Sequence, residues 1–249
     1  MKINNSTCKN FRRVLDVLKD FLEETTMVVN PGGVGIADED LSKTLFISLI
    51  IKKEDFNVYE VTKEQKISLL LKDIFKIFEK SKDEEAYEIE FSKDQINVKI
   101  SGEVIRSYKL PLLNNEEKEI SEPNFDFTSG FILPLETFHD IIRNGLVISE
   151  EITISIKEGK LNFLVDDHNK HGIFKISDSI KDQISIQSEV DLSSKYSLAI
   201  LDRVLKAAKK IEATDCNVYL NDNFPIKLEF SKNNIKVSFY LGPRVSNEY

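Results

Sequence analysis

Histidines, cysteines, carboxylates and glycine-rich turns are the groups in this chain that could carry out catalysis or hold a cofactor. Asp166-Asp167-His168-Asn169-Lys170-His171 is the one cluster with the composition of a metal site. Its turn-forming residues and the adjacent Lys170 fit a polar loop better. His139 is expected on the exposed face of a helix. Pro31-Gly32-Gly33-Val34-Gly35 lacks the rest of a dinucleotide fingerprint, and no GxxxxGK[ST] phosphate loop is present. These glycines read as a turn between strands. Cys8 and Cys216 stand alone, with no CxxC pair. No nucleophile has a base at a recognisable spacing, and no carboxylate pair is marked as acid and base. The expectation is a protein with no catalytic residue, no metal and no cofactor.

The patterned chemistry is cationic. Arg203, Lys206 and Lys210 recur at i, i+3, i+7, opposite Leu201, Val204 and Leu205. Lys72, Lys76 and Lys80 recur at i, i+4, i+8, and Arg12, Arg13 and Lys19 fall within a third amphipathic stretch. A row of ammonium and guanidinium groups along a helix suits a row of phosphates, read as charge and not as sequence. No aromatic residues are interleaved on these faces, so a duplex backbone fits better than a stacked single strand. The chain as a whole carries a formal charge of −8. Basic helices are therefore set in an acidic remainder, which argues against a protein that simply coats DNA.

Four helices must present these cations. Phe11, Val14, Leu15, Leu18 and Leu22 have helical spacing, as do Leu71, Ile74, Phe75 and Phe78. A third helix starts near Pro134 and carries Phe138, Ile141, Ile142 and Leu146; a fourth carries Leu201, Val204, Leu205 and Ala208. The third has an acidic balance. Between them lie short alternating or apolar runs: 44–51, 86–91, 96–100, 104–110, 152–156, 161–165, 172–176, 217–220, 226–230 and 235–240. Few helices and many strands with tight turns predict an α+β fold of mostly antiparallel sheets.

The chain also repeats. Phe91-Ser92-Lys93-Asp94-Gln95-Ile96-Asn97-Val98 returns as Phe230-Ser231-Lys232-Asn233-Asn234-Ile235-Lys236-Val237. Ile67–Leu71 resembles Tyr196–Ile200, and Phe11-x-x-Val14-Leu15 resembles Phe138-x-x-Ile141-Ile142. Three parallels in one order predict two copies of one domain, 1–113 and 125–249, joined by an acidic, Pro-containing connector at 114–124. The apolar runs are too short to span a bilayer, and the first residues lack the apolar core of a secretory signal. With unpaired cysteines, this predicts a reduced, cytoplasmic compartment.

The last alternating strand runs into Tyr240-Leu241-Gly242-Pro243-Arg244, where Pro243 has no N–H for a sheet ladder. With Phe11–Leu22, Gly33-Val34-Gly35-Ile36, Asp40, Phe56-x-x-Tyr59, Tyr108-Lys109-Leu110, Glu122-Pro123 and Phe224-Pro225-Ile226, this tail resembles the archaeal-type sliding clamps of the proliferating cell nuclear antigen family. The resemblance implies a ring of three chains with helices inside and sheets outside. It implies a non-catalytic processivity factor that encircles duplex DNA, is placed there by a clamp loader, and tethers polymerase, ligase and nucleases.

Arg12, Arg13, Lys19, Lys76, Arg106, Arg143 and Lys206 match the family's channel cations; Lys72, Lys80, Lys209 and Lys210 join them from helical spacing. The resemblance places a groove for short apolar and aromatic partner peptides at Glu39, Phe46, Ile120, Pro225, Tyr240, Leu241, Gly242 and Pro243. Glu39 and Gly242 depart from the apolar residue and the alanine common there. Ring closure is expected through edge strands carrying Ile105, Ser107 and Tyr108 on one chain, and Ile173, Lys175 and Ser177 on the next. The alternative is a regulatory, checkpoint-type subunit of a heterotrimeric ring.

Overall fold

The structure, a computed structural model, describes residues 1–113, 121–167, 169–188 and 190–244. The chain divides into two compact units. Unit 1 comprises Met1–Lys43, Ile47–Glu122 and Ser231–Val237; unit 2 comprises Thr44–Phe46, Pro123–Phe230 and Ser238–Tyr249.

Unit 1 is built from β1 (Lys2–Asn5), α1 (Lys9–Leu18), β2 (Glu24–Asn30), β3 (Gly33–Glu39), most of β4 (Leu45–Lys52), β5 (Val58–Glu60), β6 (Gln65–Leu70), α2 (Leu71–Glu79), β7 (Ala86–Phe91), β8 (Gln95–Ser101) and β9 (Ile105–Pro111). Unit 2 follows with β10 (Ser129–Pro134), α3 (Leu135–Gly145), β11 (Glu151–Lys157), β12 (Lys160–Asp167), β13 (Lys170–Lys175), β14 (Ser185–Gln187), β15 (Leu192–Ser197), α4 (Leu198–Lys210), β16 (Asp215–Leu220), β17 (Ile226–Lys232) and β18 (Ile235–Leu241).

Each unit holds two sheets. Unit 1 has the orders β5-β1-β7-β8-β9 and β4-β3-β2-β6; unit 2 has β14-β10-β16-β17-β18 and β13-β12-β11-β15. Pairing in the β7–β8, β8–β9 and β11–β12 hairpins is antiparallel, and so is that of β1 with β7 and β10 with β16. Element for element the two units have the same topology, so the fold is α+β with two similar units, as the sequence predicts.

One of the three sequence parallels is out of step with this repeat. Phe11 and Phe138 both lie on the first helix of their unit, and Ile67–Leu71 and Tyr196–Ile200 both run from a strand into the second helix. Phe91–Val98, however, is the β7–β8 hairpin, whereas Phe230–Val237 is β17–β18, whose equivalent in unit 1 is β8–β9. Two alternating strands around a short polar turn share their pattern with any neighbouring hairpin, so this match carried similarity without equivalence.

The helices form because apolar residues recur on one face. In α1, Phe11, Val14, Leu15, Val17 and Leu18 are buried; in α2, Leu71, Ile74, Ile77 and Phe78. Burying each such large side chain stabilises the unit by about 1.5–3 kcal/mol over leaving it in water. Phe11 and Phe78 meet at 4.9 Å between ring centroids, and both stand 5.3 Å from Tyr87 of β7. In unit 2, Phe131, Phe138 and Phe163 form the matching cluster, with centroids 5.8–6.1 Å apart. The cores therefore lie between each helix pair and its sheets.

The first helix is shorter than its apolar spacing predicts. It ends at Leu18 with Lys19 as cap. Phe21 N–H donates to Leu18 O and Asp20 N–H to Val17 O, the tighter bonding that closes a helix. Phe21 and Leu22 are buried by this turn and not by continued helix. Leu146, expected on the third helix, caps it and is 40% exposed. At the start of β3, Gly33 has φ +151°, and a Cβ there would sit 2.1 Å from Ile51 O, so only glycine lets this backbone approach β4.

Candidate nucleic-acid interface and partner surface

The predicted cations lie on the four helices and at their ends, apart from Arg106, which lies on β9. Their electrostatic surroundings differ. Arg12, half-buried on α1, donates from Nη1 to Ser81 O (2.8 Å) and pairs through Nη2 with Asp83. Arg106 of β9 is held in the same way: Nη1 donates to Lys80 O (3.1 Å) and Nη2 pairs with Glu85. The turn between α2 and β7 thus engages both guanidinium groups. Glu85 Oε2 also accepts Lys82 N–H at 2.7 Å. That bond, followed by the Arg106 contact, holds its carboxyl below the ordinary range.

Lys19 pairs with Asp16 (2.7 Å) and sits 3.8 Å from the Phe75 ring centroid, a cation–π contact. Lys80 pairs with Glu79 at 3.4 Å. Arg13, Arg203 and Lys210 each have a partner as well. Lys72 and Lys76, exposed one turn apart on α2, have no hydrogen bond or ion pair among the described residues.

In unit 2 the cations Lys206 and Lys209 face carboxylates. Lys206 Nζ lies 2.6 Å from Asp202 Oδ2, and Lys209 Nζ lies 2.6 Å from Glu136 Oε2. The other oxygen of Asp202 takes His139 Nε2 at 2.9 Å. His139, expected to be exposed, is 5% exposed: it packs on the α4 side of α3, where Asp202 gives its ring a partner. Burial would raise the Asp202 carboxyl, but the bonds from Lys206 and His139 outweigh it and hold the group below its usual range. Arg143 is exposed at the end of α3.

The predicted peptide groove falls partly into unit 2. There, Gly242 N–H donates to Thr44 O, and the Phe46 ring meets Tyr240 edge-on at 5.8 Å. Leu241 is core, at 2% exposure, and Tyr240 is 6% exposed. Phe125, 36% exposed, lies 6.1 Å from Tyr240 and 5.1 Å from Phe224. Phe127 continues the band to Phe224 and to Tyr219, at 6.0 and 6.1 Å. Lys227 Nζ stands 5.5 and 5.4 Å from the Tyr219 and Tyr240 centroids, with Glu229 at 3.2 Å.

Sequence reasoning missed Phe125, Phe127 and Tyr219, and named Phe224 only within the motif Phe224-Pro225-Ile226 and not as part of the groove; the run Phe125-x-Phe127 after the connector was the available signal. Pro225 is half-buried, and Pro243 follows Gly242 just past the end of β18. Gly242 has nothing within 4 Å of a Cβ position. Glu39 ends β3 in unit 1, exposed. Ile120 lies outside the described residues. In unit 1, Ser121 and Glu122 border a 480 Å³ hollow over β2, β3 and β4, with Ser48 Oγ donating to Glu122 Oε2 at 3.1 Å.

The residues expected to join chains lie on terminal strands. Ile105, Ser107 and Tyr108 are on β9, at one end of its sheet, and Ile173 and Lys175 on β13, at one end of another. Ile105 is 66% and Ile173 51% exposed. Ser177 follows β13 and caps the short turn Asp178–Gln183. The Asp166–His171 segment is the β12–β13 hairpin, where His171 Nδ1 pairs with Asp166; His168 lies outside the described residues. Among the described residues, no group of three or more His, Cys, Asp or Glu could hold a metal ion, and no helix is long and apolar enough to cross a membrane.

Residues 1–115 match the family model described as proliferating cell nuclear antigen, N-terminal domain. A DNA polymerase sliding clamp of Thermofilum pendens is 23% identical over 240 residues, covering 95% of this chain and 96% of that one. DNA polymerase sliding clamp 2 of Saccharolobus solfataricus is 25% identical over 247 residues, covering 98% and 99%. Among solved structures, the proliferating cell nuclear antigen of Thermococcus kodakaraensis superposes with a TM-score of 0.87 at 19% identity, covering 98% of this chain and 99% of that one. The Entamoeba histolytica protein of the same description gives 0.85 at 18%, covering 98% of each chain.

Proposed function

We propose that the chain is a DNA polymerase sliding clamp of the proliferating cell nuclear antigen family that closes into a ring around duplex DNA, because its first 115 residues match the N-terminal domain model and its likeness to sliding clamps runs through at least 95% of its length. The observation that carries this reading is the extent of the match, which covers 96–99% of those two relatives as well. The checkpoint-type alternative has no comparable support, since both relatives bear the name DNA polymerase sliding clamp.

In this reading the two clamp domains are 1–113 and 125–249, with 114–124 connecting them. Arg12, Arg13, Lys19, Lys72, Lys76, Lys80, Arg106, Arg143, Lys206, Lys209 and Lys210 face the phosphate backbone. Loose, sequence-independent attraction is what a sliding ring needs, because encirclement keeps the DNA and tight contacts would impede movement. Ile105, Ser107 and Tyr108 join Ile173, Lys175 and Ser177 of a neighbouring chain, itself or a relative, by pairing two exposed strand edges. Glu39, Phe46, Ile120, Pro225, Tyr240, Leu241, Gly242 and Pro243 take the apolar and aromatic anchors of polymerase, ligase, nuclease and clamp loader. Phe125 adds an exposed ring to that surface. The protein is non-catalytic, needs no cofactor, and works inside the cell at DNA.

Light scattering of the purified chain, followed by polymerase extension on primed circular DNA, tests this. A trimer that lengthens products supports a self-sufficient clamp. A monomer that lengthens products only with companion subunits supports a mixed ring. Failure to lengthen products in either setting refutes the reading.

A further inference from the structure

On the clamp reading, we infer that the phosphate contact is uneven: α2 supplies the working charge through Lys72 and Lys76, and the α3–α4 pair carries built-in counter-ions, Asp202 and Glu136, that weaken its grip. The two lysines are exposed, lie at i, i+4 on one face, and have no anion of their own among the described residues. A phosphate approaching them displaces only water and salt ions.

The other pair differs in kind. Asp202 Oδ2 is 2.6 Å from Lys206 and Glu136 Oε2 is 2.6 Å from Lys209. Ion pairs this exposed break readily, since the lysine can swing away. The carboxylate of Asp202 cannot follow it. Its second oxygen is held by His139, which is buried on α3, and its side chain is only 13% exposed. A negative charge therefore stays beside any phosphate that Lys206 reaches. The Glu136 carboxyl is held below its ordinary range by Lys209 first, with a lesser effect from the charge of Arg143. Cations counted from sequence overstate the attraction of unit 2 because the carboxylates are placed among them.

The arrangement tunes grip downwards, which makes an unusual outcome the discriminating one: removing an acid strengthens DNA binding. The experiment is fluorescence anisotropy of a labelled duplex with the full chain, titrated at several NaCl concentrations. Lys72→Ala with Lys76→Ala is expected to reduce the log–log salt slope by about 2 for each engaged chain. Lys206→Ala with Lys209→Ala is expected to change it by less than half as much. Asp202→Asn is expected to raise affinity several-fold at low salt. Glu136→Gln, at a largely exposed side chain, is expected to do the same in part, and it guards against a folding defect in the Asp202 variant.

Equal losses from the two lysine pairs, or acid variants that bind no better than the native chain, would overturn the inference while leaving the clamp intact. Absence of any salt-dependent duplex binding by the native chain, alone and with companion subunits, together with failure to lengthen polymerase products, would overturn the clamp reading and this inference together.

Discussion

Tyr59→Phe isolates one proton. The Tyr59 hydroxyl lies 2.7 Å from Asn30 O and 2.6 Å from Gly33 O, the two carbonyls at the ends of the turn joining β2 to β3. Its ring packs on Phe56 at 5.2 Å between centroids, a contact phenylalanine keeps. The variant removes one donor and leaves two partly buried carbonyls competing for water. A lost bond of this kind costs about 1–2 kcal/mol. For a chain of this size that is a fall of roughly 2–8 °C in melting temperature.

The same hydroxyl supplies a second, independent sign. Burial pushes its pKa up from 10.0 to about 12. A raised folded-state value means the neutral form is favoured by folding. Its contribution is whole below the unfolded value near 10 and is lost as pH rises through the folded value near 12. The native chain should therefore lose stability between those values, and Tyr59→Phe should lose less over the same interval. Thermal unfolding followed by circular dichroism at neutral and at alkaline pH measures both. A variant as stable as the native chain at neutral pH, with a parallel alkaline decline, would refute the role given to this proton.

At the acid end, Glu85 has its carboxyl held below the ordinary value by Lys82 N–H and Arg106, so its contribution is present above the unfolded value near 4.5 and fades as pH falls through the folded one. Glu85→Gln should show a shallower loss of melting temperature in acid than the native chain. Gly130→Ala and Gly242→Ala form a contrasting pair. A Cβ on Gly130 would sit 2.6 Å from Val218 O, backbone of the paired strand β16, so that variant should be destabilised by roughly 1–3 kcal/mol, whereas Gly242→Ala, with open space, should melt within about 0.5 kcal/mol of native. Phe125→Ala removes an exposed ring touching Tyr240 and Phe224; it should weaken binding of a fluorescent peptide with paired aromatic anchors roughly tenfold with little change in melting, and an unchanged affinity would place the peptide elsewhere.

The helices were legible because amphipathic spacing is strong over three turns: the residues marked on α4 are buried, and so are those marked on α2 except Phe75, which is half-buried under Lys19 while the unmarked Ile77 is buried. Strands with apolar alternation, such as β7 and β12, were legible for the same reason. β15 was not, because Leu192–Ser197 reads as polar; Ser194 is buried with its hydroxyl spent on Asn221 O, and Ser197 is buried too. β1 offers only Ile3 as a large apolar residue. The cations were legible as types and spacings, but their partners were not. Nothing local to Lys209 points to Glu136, or to Arg12 that it will meet Asp83. Of the aromatic band of unit 2, the resemblance supplied Phe46 of β4 and Tyr240 of β18; the other members were not legible for the same reason, since they come from the segment after the connector, β16 and the β16–β17 turn.

Unit 1 includes Ser231–Val237, and Lys52 N–H donates to Asn234 O within it. The ribosome therefore makes Lys52 long before the acceptor of that bond. At about 5–20 residues per second, Lys52 waits on the order of ten to forty seconds for that acceptor. Through that interval β4 has its partner β3 in hand, but the carbonyl of Asn234 has not yet been synthesised. A fragment cut at the connector would remain in this unfinished condition permanently. Chaperone demand during synthesis should accordingly fall on the nascent first half, and be relieved only as the C-terminal strands emerge.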